Sequence, residues 1–190
     1  MAGTSEVITQ MIRLPGVRYP VLVPNQKGLD NLLSLLSTHS SSSRPPPTDE
    51  IAIFTASTDA FAKANTNTTV SDSLARLAPV ARAALNNNLR VRGYVSCVIA
   101  CPYSGKVDFK RVREVTKELF EMGCYEVSLG DTVGVGTPRE VGEMLEEVKK
   151  EVAVDKLAGH VSQSTSTSTH MLTLYHPSFM IHTAQQSPTF

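Results

Sequence analysis

A strand, helix, strand unit over residues 89–138 limits what this chain can fold into more than any other stretch. The run Arg90-Val91-Arg92-Gly93-Tyr94-Val95-Ser96-Cys97 reads as a strand. Residues 108–122 then set Val112, Val115, Leu119 and Met122 on one face at helical spacing. A second apolar run, Gly123-Cys124-Tyr125-Glu126-Val127-Ser128-Leu129, stops at Gly130, Asp131 and Thr132. Two strands joined by a helix pair in parallel, so both end on the same side. That places Ser96 or Cys97 near Asp131, at the end where parallel sheets carry their chemistry.

The remaining segments repeat the alternation. Residues 17–24 are apolar and β-prone, and residues 25–37 read as a helix through Leu29, Leu32, Leu33, Leu35 and Leu36. Serine and proline then crowd residues 38–49, which predicts an exposed insertion. Residues 50–57 form a short strand apolar enough to be buried on both faces, and residues 59–70 read as a polar loop. A helix begins at Ser71, the expected N-cap, and Pro79 argues against its running unbroken to Asn88. Thr137-Pro138 opens another helix with Val141, Met144, Leu145 and Val148 inward, and residues 155–160 close the series as a strand. Five strands alternating with four helices predict an α/β fold with parallel pairing. From residue 161 onward a Ser-Thr repeat and scattered His, Pro and Gln show no period, so residues 161–190 are expected to be a disordered tail.

Charge and cysteine usage narrow the function classes. The 18 basic and 18 acidic side chains cancel, so no excess field points to nucleic acid or an anionic membrane. No apolar run approaches the roughly 20 residues that span a bilayer. Three cysteines without a regular framework suit a reducing compartment. The first residues carry neither a secretory signal nor an Arg-rich transit pattern.

Four segments carry a family resemblance: Tyr19-Pro20-Val21-Leu22-Val23-Pro24-Asn25-Gln26-Lys27-Gly28, Val91-Arg92-Gly93-Tyr94-Val95-Ser96-Cys97, Cys101-Pro102-Tyr103-Ser104-Gly105-Lys106, and the run from Met122 through Gly-Asp-Thr-Val-Gly-Val-Gly-Thr to Pro138. Together they closely resemble 3-hydroxy-3-methylglutaryl-CoA lyase, over residues 1–160. The resemblance implies a partial TIM (β/α)8 barrel whose five strands correspond to the third to the seventh. It also implies cleavage of an acyl-CoA substrate to acetyl-CoA and acetoacetate with Mg2+ or Mn2+, in the leucine degradation and ketone body route. The compartment it implies is the mitochondrial matrix or the cytoplasm, and it leaves room for a homo-oligomer.

By resemblance, Asp131 is the acidic residue near the substrate, and Arg92, Ser128 and Thr132 support its pocket. His160 matches the first histidine of the family's His-x-His metal pair, but Ser162 stands where the second belongs. The family's first strand, with an Arg-Asp pair, and its last, with a glycine-rich loop, a reactive cysteine and a later asparagine ligand, find no counterpart. The chain is therefore expected to be truncated at both ends and inactive alone, since a lone histidine holds a hard divalent ion poorly.

Other readings stay open. A non-catalytic remnant that binds a partner or an intact lyase subunit is one, and a Claisen-type synthase of the same superfamily is another. Cys97, Cys101 and Cys124 read as buried thiols rather than ligands, and Gly130, Gly134 and Gly136 fit neither a P-loop nor a dinucleotide fingerprint. His170, His176 and His182 lie where nothing in the sequence fixes their geometry.

Overall fold

A computed structural model of the chain describes residues 4–39, 46–162 and 180–184. The strands β1 (Val21–Leu22), β2 (Glu50–Ala56), β3 (Arg90–Ser96), β6 (Glu126–Gly130), β7 (Leu157–Ser162) and β8 (Met180–Ala184) make one sheet in the order β1-β2-β3-β6-β7-β8. Every neighbour in it is parallel. Two short strands, β4 (Ala100–Cys101) and β5 (Gly105–Lys106), form a separate antiparallel hairpin. The helices are α1 (Thr4–Gln10), α2 (Gln26–His39), α3 (Asp59–Thr66), α4 (Val70–Asn86), α5 (Phe109–Glu121) and α6 (Pro138–Val148). The α/β reading holds, and the five expected strands lie side by side in chain order.

Alternation along each strand sorts residues onto two faces. On the face toward the helices, Ile51, Ile53, Val91, Val95, Val127, Leu129 and Leu157 are at most 1% exposed. They share one core with Leu74, Leu77, Val80 and Ala84 of α4, Val112, Val115 and Leu119 of α5, and Val141, Met144, Leu145 and Val148 of α6. Gly93 allows the close approach, because a Cβ there would stand 3.1–3.3 Å from Val127, Leu119 and Cys124. Register fixes the opposite face: Ala52, Arg92 and Glu126 lie side by side, then Phe54, Tyr94, Ser128 and Ala158, then Ala56, Ser96, Gly130 and His160.

Several boundaries depart from the expectations. Residues 59–70 are not a loop: α3 is capped by Thr58, whose side chain accepts from the Phe61 amide, and closed by Asn67 in the left-handed region at φ 52°. Only Ala62 of this helix is buried, too little to show as a periodic pattern. The next helix has its N-cap two residues early, at Thr69 rather than Ser71, which lets Val70 reach the core. It also runs through Pro79. That ring sits on the exposed side, where water can satisfy the carbonyl it leaves unpaired, while Leu77 and Val80 hold the helix down on either side. The strand expected over residues 17–24 shortens to Val21–Leu22, between Pro20 and Pro24, and α1 was not foreseen at all. Beyond residue 160, β7 continues to Ser162, and Met180–Ala184 adds a sixth strand to the sheet. The remainder of the tail and residues 40–45 of the insertion lie outside the described residues.

Candidate active site at the carboxyl ends of the strands

The ends of β2, β3, β6 and β7 are tied together by a short chain of hydrogen bonds. The Ser57 amide donates to the Ser96 carbonyl at 3.0 Å and its hydroxyl to the Cys97 carbonyl at 2.5 Å. The Cys97 amide donates to Thr132 Oγ1 at 2.8 Å, and the Val98 amide to the Gly130 carbonyl at 3.1 Å. The Asp131 amide reaches across to the His160 carbonyl at 3.0 Å. To make these bonds the chain turns sharply at Cys97, which adopts φ 61°. A non-glycine residue in the left-handed region is uncommon and costs backbone energy that the surrounding bonds must offset.

Asp131 is buried, and both its oxygens are occupied: Oδ1 accepts from the Gly134 amide at 3.1 Å and Oδ2 from the Gly136 amide at 2.7 Å. The carboxylate thus shapes the loop over residues 131–136. Gly136 is needed there, since a Cβ would meet Oδ2 at 2.9 Å. The loop hands over to α6 through a capping box, in which Thr137 accepts from the Glu140 amide and the Glu140 carboxylate accepts from Thr137. The cap of α6 is thus Thr137, and Asp131 serves the loop before it.

The other expected site residues divide. Thr132 is beside Asp131 and spends its oxygen on the Cys97 amide, a positioning bond invisible in sequence because its partner is 35 residues away. Ser128 lies one layer below the strand ends; it is 2% exposed and its hydroxyl has no protein partner. Arg92 is lower still, two layers from Ser96 on the same strand. There it donates through Nε to Glu126 at 2.7 Å and through a terminal nitrogen to the Tyr94 hydroxyl at 2.6 Å. The fold brings Asp131, Thr132 and the His160 backbone together, while Arg92 is engaged by Glu126 and Tyr94.

His160 is exposed, at the level of Ser96 and Gly130 and in backbone register with His182 of β8. Ser162 occupies the position two residues on. Among the described residues, no three His, Cys, Asp or Glu side chains converge as a cation would require. With one exposed imidazole, a hydroxyl in place of a second, and a carboxylate already given to two amides, these residues do not fit a hard divalent ion. A separate cleft of about 290 Å³ lies beside the β1 edge of the sheet, lined by Ile8, Val21, Pro24, Asn25, Lys27 and Leu32 among others, and none of its lining residues belongs to the chain of bonds described above. Among the described residues no helix is long and apolar enough to cross a membrane.

Comparison with known proteins gives a consistent answer. The HMGL-like family model matches residues 43–170. The chain is 46% identical over 160 residues to the cytoplasmic 3-hydroxy-3-methylglutaryl-CoA lyase of Rattus norvegicus, covering 84% of this chain and 43% of that protein. It is 45% identical to a 3-hydroxy-3-isohexenylglutaryl-CoA/hydroxy-methylglutaryl-CoA lyase of Pseudomonas aeruginosa, covering 50% of that protein. The crystal structure of the HMG-CoA lyase from Brucella melitensis superposes with a TM-score of 0.84 at 40% identity, over 97% of this chain and 62% of that one. The chain thus spans about half the length of the curated relatives it matches.

Proposed function

The chain belongs to the HMGL-like family, and we propose that it carries part of a lyase that splits 3-hydroxy-3-methylglutaryl-CoA into acetyl-CoA and acetoacetate. The observation that carries this reading is the knot of bonds joining Asp131, Thr132, Cys97 and His160 at the strand ends, built from residues that stand in the family's motif. Such a cleavage needs the tertiary hydroxyl deprotonated and negative charge held on the departing enolate. In the complete family enzyme a Mg2+ or Mn2+ would supply that charge stabilisation. The side chains of this chain would contribute by holding the site's shape. Asp131 fixes the loop over residues 131–136, and Thr132 holds the turn at Cys97.

By itself the chain is expected to give no turnover, because Ser162 stands where the second histidine of the family's metal pair belongs and the Asp131 carboxylate is already given to two amides. Purified chain with Mg2+ or Mn2+ and 3-hydroxy-3-methylglutaryl-CoA, compared with its Asp131→Ala variant, tests this. Acetoacetate at the level of the variant is the expected result, and robust metal-dependent release would overturn the expectation of inactivity. The compartment, mitochondrial matrix or cytoplasm, follows the relatives, which carry both names.

A second reading rests on a separate observation. Val7, Ile12, Leu14, Val17 and Leu22 are all exposed large apolar residues within sixteen positions, bordering the β1 edge. An apolar strip along an unpaired sheet edge is a place for another chain to dock. Here the partner would be an intact lyase subunit. Retention of the purified chain on such a subunit, with Leu22→Lys abolishing it, is the result this reading requires; equal retention of both would sink it.

A further inference from the structure

The cleft beside the β1 edge takes no part in the chemistry described above, and one face of α2 makes a wall of it. Lys27, Gly28, Asn31, Leu32 and Leu35 all line it, at the spacing that puts residues on a single stripe of a helix. Polarity changes along that stripe. An ammonium and a carboxamide, both exposed, stand in its first turns, and two leucines accompany them, Leu32 buried and Leu35 half-buried. Other walls come from Ile8 of α1 and Val21 of β1, both buried. We propose that this cleft is a binding site for a short-chain monocarboxylate, with the alkyl chain on Ile8, Val21 and Leu32 and the carboxylate at Lys27 and Asn31.

Charge assigns the head group of the ligand. No acidic residue lines the cleft. Asp30, the acidic residue nearest along α2, is held instead by the Gln26 side-chain amide, which donates to its Oδ1 at 2.9 Å. Among the described residues the Lys27 ammonium has no hydrogen bond or ion pair, and the Asn31 carboxamide has none either. A carboxylate there would gain a cation and a neutral donor together. The first turn of α2 carries no acidic side chain, so the partial positive charge of its free amides adds to the attraction. Local folding fixes this arrangement: Asn25 Oδ1 accepts from the Gly28 amide at 3.0 Å and so starts the helix one residue before Lys27 takes its place. A Cβ at Gly28 would stand 3.3 Å from Pro24 and 3.7 Å from Val23, so the turn that carries Lys27 is packed directly on the end of β1.

Volume and exposure set the tail. Small-molecule sites commonly run about 300–1,000 Å³, so a cleft of about 290 Å³ admits a short chain and leaves no room for a nucleotide or a long one. Entry is open, because Leu22, Lys27 and Asn31 are all exposed. Methylenes leaving water on the apolar walls would supply affinity, and the carboxylate at Lys27 would supply selectivity.

Amide NMR spectra of the full chain titrated with hexanoate test the proposal. Saturable shifts should appear at residues 27–32 and around Ile8, with the amides of β6 and β7 unmoved. Hexanamide, which keeps the chain and loses the charge, and acetate, which keeps the charge and loses the chain, should both bind more weakly than hexanoate. Lys27→Met should weaken hexanoate about three- to fivefold, the worth of an exposed charge pair, and leave hexanamide as it was. Asn31→Phe, which fills the cleft from an exposed position, should abolish binding of all three. Unshifted β6 and β7 amides report that each variant is folded, and the ranking of the three ligands on the natural chain stands without either variant. Equal binding of hexanoate and hexanamide, no saturable shift at millimolar hexanoate, shifts centred elsewhere, an unchanged affinity in Lys27→Met, or binding that survives Asn31→Phe would each overturn the proposal. None of these readouts uses an acyl-CoA or its turnover, so failure here leaves the lyase reading untouched.

Discussion

The two faces of the same sheet differ more than any two ends of the molecule do. Toward the helices, β2, β3, β6 and β7 present Ile51, Ile53, Val91, Val95, Val127, Leu129 and Leu157, all effectively sealed from water. Toward the other side the same strands present Arg92, Tyr94, Ser96, Glu126, Ser128 and His160, mostly half-buried, with Ser128 sealed and His160 in solvent. At about 1.5–3 kcal/mol for each large aliphatic side chain removed from water, the helix-facing layer supplies most of the drive to fold. Its partners are the helices next in sequence. The layer can therefore assemble without a closed ring of strands, while the opposite face is free to carry polar groups.

Substitutions on neighbouring positions of β6 test this division directly. Leu129→Ala, in the helix-facing core, should cost about 2–5 kcal/mol in urea unfolding. A cost under about 1 kcal/mol would mean that the helix layer is not the principal core. The next effect belongs to the ion pair on the other face, where the side chains of Arg92 and Glu126 are 12% and 15% exposed. Arg92→Met should cost about 2–3 kcal/mol, because Glu126 loses a charged partner. Adding Glu126→Leu should restore most of that, and a double variant as unstable as the single one would show that Arg92 acts through Tyr94 instead. Ser128→Ala should move stability by less than about 1 kcal/mol, in the stabilising direction, since it deletes a buried hydroxyl that no protein group satisfies. A clear destabilisation would reveal a water or ligand bonded to that hydroxyl.

The smallest effect is a dependence on pH. The Cys101 thiol titrates at about 7 in the folded chain against an ordinary 9.0, so its contribution is complete above pH 9 and fades as pH falls through 7. Cys97 and Cys124, both pushed up to about 12, contribute below pH 9 and lose that contribution as pH rises toward 12. Urea midpoints should therefore climb from pH 7 to 9 and decline beyond it. In Cys101→Ser the climb should vanish and the decline remain.

Much of the fold was legible because its signals are local. The period of Val112, Val115 and Leu119 marks α5, Asp108 caps it, and Thr137-Pro138 opens α6 where expected. The helix α3 was missed because one buried alanine makes no period, and Pro79 was read as a break because a sequence cannot show that its ring faces water. The candidate site divides along the same line. Asp131 stood out as a carboxylate closing an apolar run, but its service to the Gly134 and Gly136 amides, and the bond from the Cys97 amide to Thr132, join groups that only a folded loop brings within 3.1 Å.

Composition and periodicity alone determined that strands and helices alternate, that the strands lie parallel, and that polar residues gather at one end of them, because each follows from side chains within a few positions of one another. Tertiary structure decided that Arg92 pairs with Glu126, that Asp131 braces a loop through the Gly134 and Gly136 amides, and that Thr132 receives the Cys97 amide. Those outcomes depend on register between strands and on the hand of single turns, and a one-residue slip in either would send every one of these side chains to the opposite face.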